Sequence, residues 1–188
     1  LEFKDGYFDG TLYCDTLNLA GTSHTSISSG FTVGTQVATT SGSSIDFTSI
    51  PSGTQHIIMF LDSVSLSGTD ALLIQIGDSG GVETSGYDAA VGDSGGHSTV
   101  QTGVTSGVKI YLAGAGRDWI GIVEFHLMQA SSNNWHICFR GGADDWLDYG
   151  TCFKTLSGTL DRVRIDTDGS NTFDAGNANI IYCLLYTS

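Results

Sequence analysis

The chain is punctuated: apolar stretches only a few residues long alternate in polarity and are cut off by turn chemistry at almost every break. Leu160 to Asp166 is the plainest case. Val163 and Ile165 fall on one side and Arg162 and Arg164 on the other, the two-residue period of a strand with one wet face. Trp119 to Leu127 places Trp119, Val123, Phe125 and Leu127 on one face and Glu124 and His126 on the other, and Ala71 to Gly77 aligns Leu72, Ile74 and Ile76. Further strands are expected at Ile45 to Phe47, Gln55 to Leu66, Val108 to Leu112, His136 to Arg140, Thr151 to Leu156 and Asn177 to Leu185. No segment sustains a 3.6-residue apolar period, and with 26 glycines in 188 residues the chain is poorly suited to helix. The expected fold class is all-β, an antiparallel β-sandwich or jelly roll.

Acidic residues number 20 against 7 basic ones, a net charge of −13, so no nucleic-acid partner is expected, because phosphate binding needs a basic surface. No apolar run approaches the roughly 20 residues of a membrane helix, and no membrane insertion is expected. Residues 1–36 read as an N-terminal stalk or attachment segment and 37–188 as the sandwich. The first segment never builds an uninterrupted strand, so Phe3, Tyr7, Phe8, Leu12, Leu17 and Leu19 are expected to bury against neighbouring copies as a subunit interface. Ile57 to Leu61 is apolar on both alternating faces, which predicts cover on both sides, and 180–185 is similar; the surplus is assigned to contact between subunits. Cys14, Cys138, Cys152 and Cys183 are scattered without metal-ligand spacing, and Cys138 and Cys152 lie in stretches that could pair as neighbouring strands. Buried free thiols are the preferred reading over a disulfide.

Three features invite chemistry. Gly77-Asp78-Ser79-Gly80-Gly81 recurs as Gly92-Asp93-Ser94-Gly95-Gly96 and resembles the nucleophile loop of trypsin-like proteases. Duplication, and His24 and His56 in the wrong context for a catalytic base, favour a pair of glycine-rich turns, so no catalytic residues are assigned. Asp166, Asp168, Asn171 and Asp174 carry oxygen ligands at close spacing, which leaves a divalent cation such as calcium as a candidate cofactor, although plain turn residues explain the pattern better. The five histidines show no pair at ligand spacing within one element, so no zinc site is assigned. The third feature is the stretch 141–150, read as a loop, in which Asp144, Asp145, Trp146, Asp148 and Tyr149 combine flat rings with carboxylates, the pairing that binds sugars. Packing of Trp146 against the core or a neighbouring subunit is the competing reading.

Two blocks are familiar together. IDFTSIPSGTQHIIMFLDSVSLSGTDALLIQIGDSGGVETSGY over 45–87 and SGTLDRVRIDTDGSNTFDAGNANIIY over 157–182 resemble a domain that recurs in bacteriophage tail-fibre and other virion proteins. The sequence departs from it at Gln55-His56, where a basic pair is usual, and in continuing past the final strand; the middle, 88–150, does not match. The resemblance implies a non-enzymatic virion structural module, usually homotrimeric, which attaches to other virion proteins through its N-terminal segment and often meets host-surface glycan. A tail-fibre or receptor-binding tip is the leading expectation, a head-decorating or capsid-fibre protein the alternative, and a hydrolase the reading from a different class. The matching residues also read independently as packing (Ile45, Phe47, Ile50, Leu72, Ile74, Leu160, Val163, Ile165, Phe173, Ile180) and as turns (Pro51, Gly53, Gly68, Gly169). The Asp168-Gly169 pair is expected to supply a hairpin turn with positive φ.

Overall fold

The computed structural model describes residues 17–19, 22–24, 30–94, 101–112, 115–143 and 146–184. The chain divides into a large unit, Gly30–Tyr186, and a small one made of Leu1–Ser29 with Thr187–Ser188. In the small unit β1 (Leu17–Leu19) pairs antiparallel with β2 (Thr22–His24), Leu17 opposite His24. Phe3, Tyr7, Phe8 and Leu12 lie outside the described residues, and of Leu17 and Leu19 the backbone alone is described.

The large unit is all-β, with two antiparallel sheets and, among the described residues, a single helical turn at Ala130–Ser132. In chain order its strands are β3 (Phe31–Val33), β4 (Val37–Ala38), β5 (Ser44–Phe47), β6 (Thr54–Leu66), β7 (Leu72–Asp78), β8 (Gly81–Val82) and β9 (Tyr87–Asp93). There follow β10 (Gln101–Val104), β11 (Val108–Ile110), β12 (Trp119–Gln129), β13 (Asn134–Ala143), β14 (Trp146–Thr155), β15 (Leu160–Thr167) and β16 (Phe173–Leu184). The larger sheet has nine strands, in the order β10-β9-β14-β13-β12-β6-β16-β3 with β4 also on β16; the smaller has five, β11-β7-β15-β5 with β8 on β7. Because Phe31–Val33 already pairs with β16, the large unit takes in residues that the sequence alone assigns to the N-terminal segment.

One apolar core joins the two sheets, as in a β-sandwich. From the larger sheet come Ile57, Met59, Leu61, Trp119, Val123, Phe125, Trp135, Ile137 and Phe139, and from the smaller Ile45, Phe47, Leu72, Ile74, Ile76, Val163 and Ile165. All ten residues read as packing from the sequence are buried. β15 behaves as its alternation predicts: Val163 and Ile165 are inside, while Arg164 makes two hydrogen bonds to Asp46 on β5, each 2.7 Å.

Within the chain β6 is covered on one face: Ile57, Met59 and Leu61 enter the core, while Ile58 is half-buried and Phe60 is 41% exposed on the opposite side, the face assigned from the sequence to contact between subunits. Two expectations are corrected. The stretch 141–150 is a hairpin arm pair rather than a loop, since β13 and β14 stay in register from Asn134 against Thr155 to Ala143 against Trp146. The Thr167–Asn171 turn connects β15 in one sheet to β16 in the other instead of closing a hairpin. Gly169 is not among the positive-φ glycines; it is required because a Cβ there would lie 2.4 Å from an Asp70 carboxylate oxygen, and that carboxylate accepts the Asn171 backbone N–H at 2.7 Å. Gly53, at φ 88°, does serve as a left-handed turn residue.

Candidate functional site

Strand alternation divides the acidic and aromatic residues of β14 between two faces. Asp148 points inward, 3% exposed, and accepts a 2.8 Å hydrogen bond from the indole Nε1–H of fully buried Trp119. Burial raises its pKa above the ordinary carboxylate value, the Trp119 bond opposes that shift, and nearby Asp93 adds to it. Trp146 lies half-buried on the same side of β14, with the Arg117 guanidinium 4.4 Å from its ring centre. Tyr149 faces outward, 51% exposed, its ring lying over Gly92, where a Cβ would come within 3.1 Å of it. Tyr149 is therefore on the opposite face of β14 from Asp148 and Trp146, and Asp144 and Asp145 lie outside the described residues.

The first GDSGG segment makes the β7–β8 turn. The Asp78 carboxylate accepts the Gly80 N–H at 2.8 Å and the Ser157 hydroxyl at 2.7 Å, while Ser79 is exposed. In the second, Gly92 and Asp93 belong to β9, and Ser94 Oγ accepts the Leu147 N–H at 2.9 Å. Asp78 and Ser94 are thus tied into the fold, and the described histidines of the large unit stand on β6, β12 and β13 of the larger sheet. The candidate calcium ligands are also spent on protein partners. Asp168 pairs with Lys109 at 2.7 Å and accepts the Ala71 N–H at 2.8 Å, Asn171 accepts the Asp70 N–H at 3.0 Å, and Asp174 accepts the Ser65 hydroxyl.

Cys138 and Cys152 sit on neighbouring strands but on opposite faces, since Cys138 pairs in register with Thr151 and Cys152 with Ile137. Both are free thiols, as is Cys183; Cys152 alone of the three is fully buried.

What converges instead is the outer face of the larger sheet. An antiparallel sheet with one face on the core ordinarily turns a polar face to water. Here Val33 (69% exposed), Phe60, Ile120 (57%), Leu147 (54%), Tyr149 and Phe153 project from four strands of that face. A row of rings crosses it. In backbone register Cys183 stands opposite His56, His56 opposite His126, His126 opposite His136 and His136 opposite Phe153. The imidazoles of His56 and His126 stack with centres 4.4 Å apart and planes 16° from parallel; His126 and His136 are 6.1 Å apart, and His136 and Phe153 5.1 Å. Partial burial pushes the His126 pKa below its usual value, with His56 adding to the shift, and it lowers His136 likewise with His126 contributing. His136 Nε2 lies 2.7 Å from the Thr151 hydroxyl, whereas His56 Nε2 is buried without a hydrogen-bond partner. Glu124, two residues from His126 on the same face, accepts a 2.5 Å bond from Arg140.

Among the described residues, His56, Glu124 and His126 form the one group able to hold a metal ion, their ligand atoms lying within 4.8 Å of one another. Sequence spacing misses this group because its members come from strands nearly seventy positions apart, brought together by register alone. No protein-family model, no curated protein and no solved structure matches the chain.

The basic side chains of the large unit are each engaged within the chain. Besides the pairs above, Lys154 bonds Glu83, Arg162 pairs with Asp161 at 2.7 Å, and Arg164 also approaches Asp166 at 3.7 Å. None of the helices among the described residues is long and apolar enough to cross a membrane.

Proposed function

We propose that this protein is a non-catalytic structural module of a bacteriophage particle, a homotrimer joined through the outer face of its larger sheet and placed in a tail fibre or receptor-binding tip that attaches the virion to its host. The observation that carries the self-association is the exposed apolar row of Val33, Phe60, Ile120, Leu147 and Tyr149 on a face that water would ordinarily claim. The occupant is a second copy: the sequence already placed a surplus of apolar side chains on β6 and β16, and Ile58, Phe60 and Ile181 are where that surplus emerges. The virion assignment rests on the resemblance of residues 45–87 and 157–182 to phage fibre domains. A jelly-roll reading of the sandwich is supported by the chain's repeated crossing between sheets, at β4 to β5, β5 to β6, β6 to β7, β8 to β9, β10 to β11, β11 to β12, β14 to β15 and β15 to β16. Engagement of the described basic side chains supports a protein or glycan partner over a nucleic acid.

Native mass in solution tests this reading. The intact chain is expected at three times 19.8 kDa, and the double variant Ile58→Asn/Phe60→Ser is expected to fall to one. A wild-type protein that stays monomeric at high micromolar concentration overturns the assignment.

A further inference from the structure

The histidine row offers more than an interface. We propose that His56, Glu124 and His126 bind a divalent first-row transition ion of the zinc class, through two imidazole nitrogens and one carboxylate oxygen, with a fourth position open to water or an incoming ligand. The backbone preorganises the set. Glu124 and His126 are two residues apart on β12, so their side chains leave the same face, and His56 on β6 is directly opposite His126 in the ladder. Their ligand atoms already lie within 4.8 Å of one another.

Three observations separate this site from a stack of rings that merely supports the sheet. His56 Nε2 is buried with no hydrogen-bond partner, an unusual position for a polar atom beside other polar groups, and a metal would satisfy it. Arg140 holds one oxygen of Glu124, which fixes the carboxylate as outer-shell partners of metal ligands commonly do and leaves its second oxygen to coordinate. The next imidazole in the row, His136, is already engaged with Thr151, which limits the set to three. Donor chemistry decides the class of ion. Calcium and magnesium require shells of oxygen, whereas two imidazoles and a carboxylate with one open position match zinc. The net charge of −13 favours cation capture from dilute solution.

The test uses the full chain stripped with a chelator and titrated with Zn²⁺ by calorimetry and with Co²⁺ by visible absorption. One ion per chain is expected, with the intense Co²⁺ bands of a four-coordinate nitrogen and oxygen site in the wild type, a readout that depends on no variant. His56→Ala, His126→Ala and Glu124→Gln are each expected to weaken Zn²⁺ at least tenfold while circular dichroism and the unfolding midpoint show a folded protein. His136→Ala is expected to change affinity less than threefold. Absence of Zn²⁺ binding, a six-coordinate Co²⁺ spectrum, or loss at His136→Ala equal to that at His56→Ala overturns the assignment. Native mass recorded on the same samples keeps this result apart from self-association: the ligands belong to one chain, so a monomer that binds zinc refutes the trimer alone, and a trimer that does not bind refutes the site alone.

Discussion

Asp148 reads from the sequence as a ligand-binding carboxylate and stands in the structure as a buried acceptor, and the two roles predict different variants. The Trp119 indole N–H has no exposure to water and donates to Asp148 at 2.8 Å. Asp148→Ala removes that acceptor and strands the N–H, and since a buried hydrogen bond to a charged group is worth about 1.5–3 kcal/mol, the variant should lose about 2 kcal/mol. For a chain of this size that corresponds to a fall in Tm of about 4–8 °C. Asp148→Asn keeps an acceptor oxygen and removes the buried charge, so it should stay within about 1 kcal/mol of wild type at neutral pH. The sign of the pH dependence follows from the raised pKa. The folded state holds its proton to higher pH than the unfolded chain, so ionised Asp148 costs stability once pH rises through the interval between the two values. The Asn variant should therefore gain on wild type as pH rises through that interval and hold a constant difference above it. Urea unfolding followed by tryptophan fluorescence at several pH values measures all of this. A Trp119-linked role for Asp148 is refuted if the Ala variant unfolds at the wild-type midpoint, or if Asn destabilises as much as Ala.

Gly150→Ala should cost about 2 kcal/mol by overpacking, because a Cβ there meets the Phe139 ring at 2.2 Å; combined with Phe139→Leu the penalty should fall short of the sum by about 1 kcal/mol, which a double-mutant cycle measures. Asp78 has a lowered pKa, chiefly through the Ser157 hydroxyl and then the Gly80 N–H, so its contribution is present at neutral pH and lost as pH falls through the depressed folded value. Ser157→Ala should accordingly move the acid-unfolding midpoint to higher pH, seen by circular dichroism. Burial pushes the Cys152 thiol up to about 12, so iodoacetamide at pH 8 should leave Cys152 unmodified in the folded protein and label it in urea, as read by peptide mass.

The strands with strict alternation were legible without coordinates. Val163 and Ile165 announce their face because Arg162 and Arg164 alternate with them, and both are buried. The strand Tyr87–Asp93 was invisible because Ala89, Ala90 and Gly92 carry little of the β-branched or aromatic bulk that marks a strand. Glycine misled in the opposite direction. Gly141 and Gly142 look like a loop, yet they lie inside β13, Gly141 because Trp119 and the Ile120 carbonyl occupy the space of its Cβ and Gly142 because the Trp146 carbonyl does. The outward position of Glu124 and His126 could be read from the pattern of β12, but the arrival of His56 beside them could not. Which strand lies next to which, and in what register, is decided by the packing of the whole sheet rather than by any local spacing.

The cross-strand alignment of His56, His126 and His136 makes this sheet intolerant of insertions and deletions within its central strands. Removing one residue from the middle of β12 would rotate the rest of that strand by half a pleat, sending Glu124 and His126 toward the hydrocarbon interior and the rings of Trp119 or Phe125 toward water. Variation in chain length should therefore accumulate in the connections between strands, while β6, β12 and β13 keep their residue count.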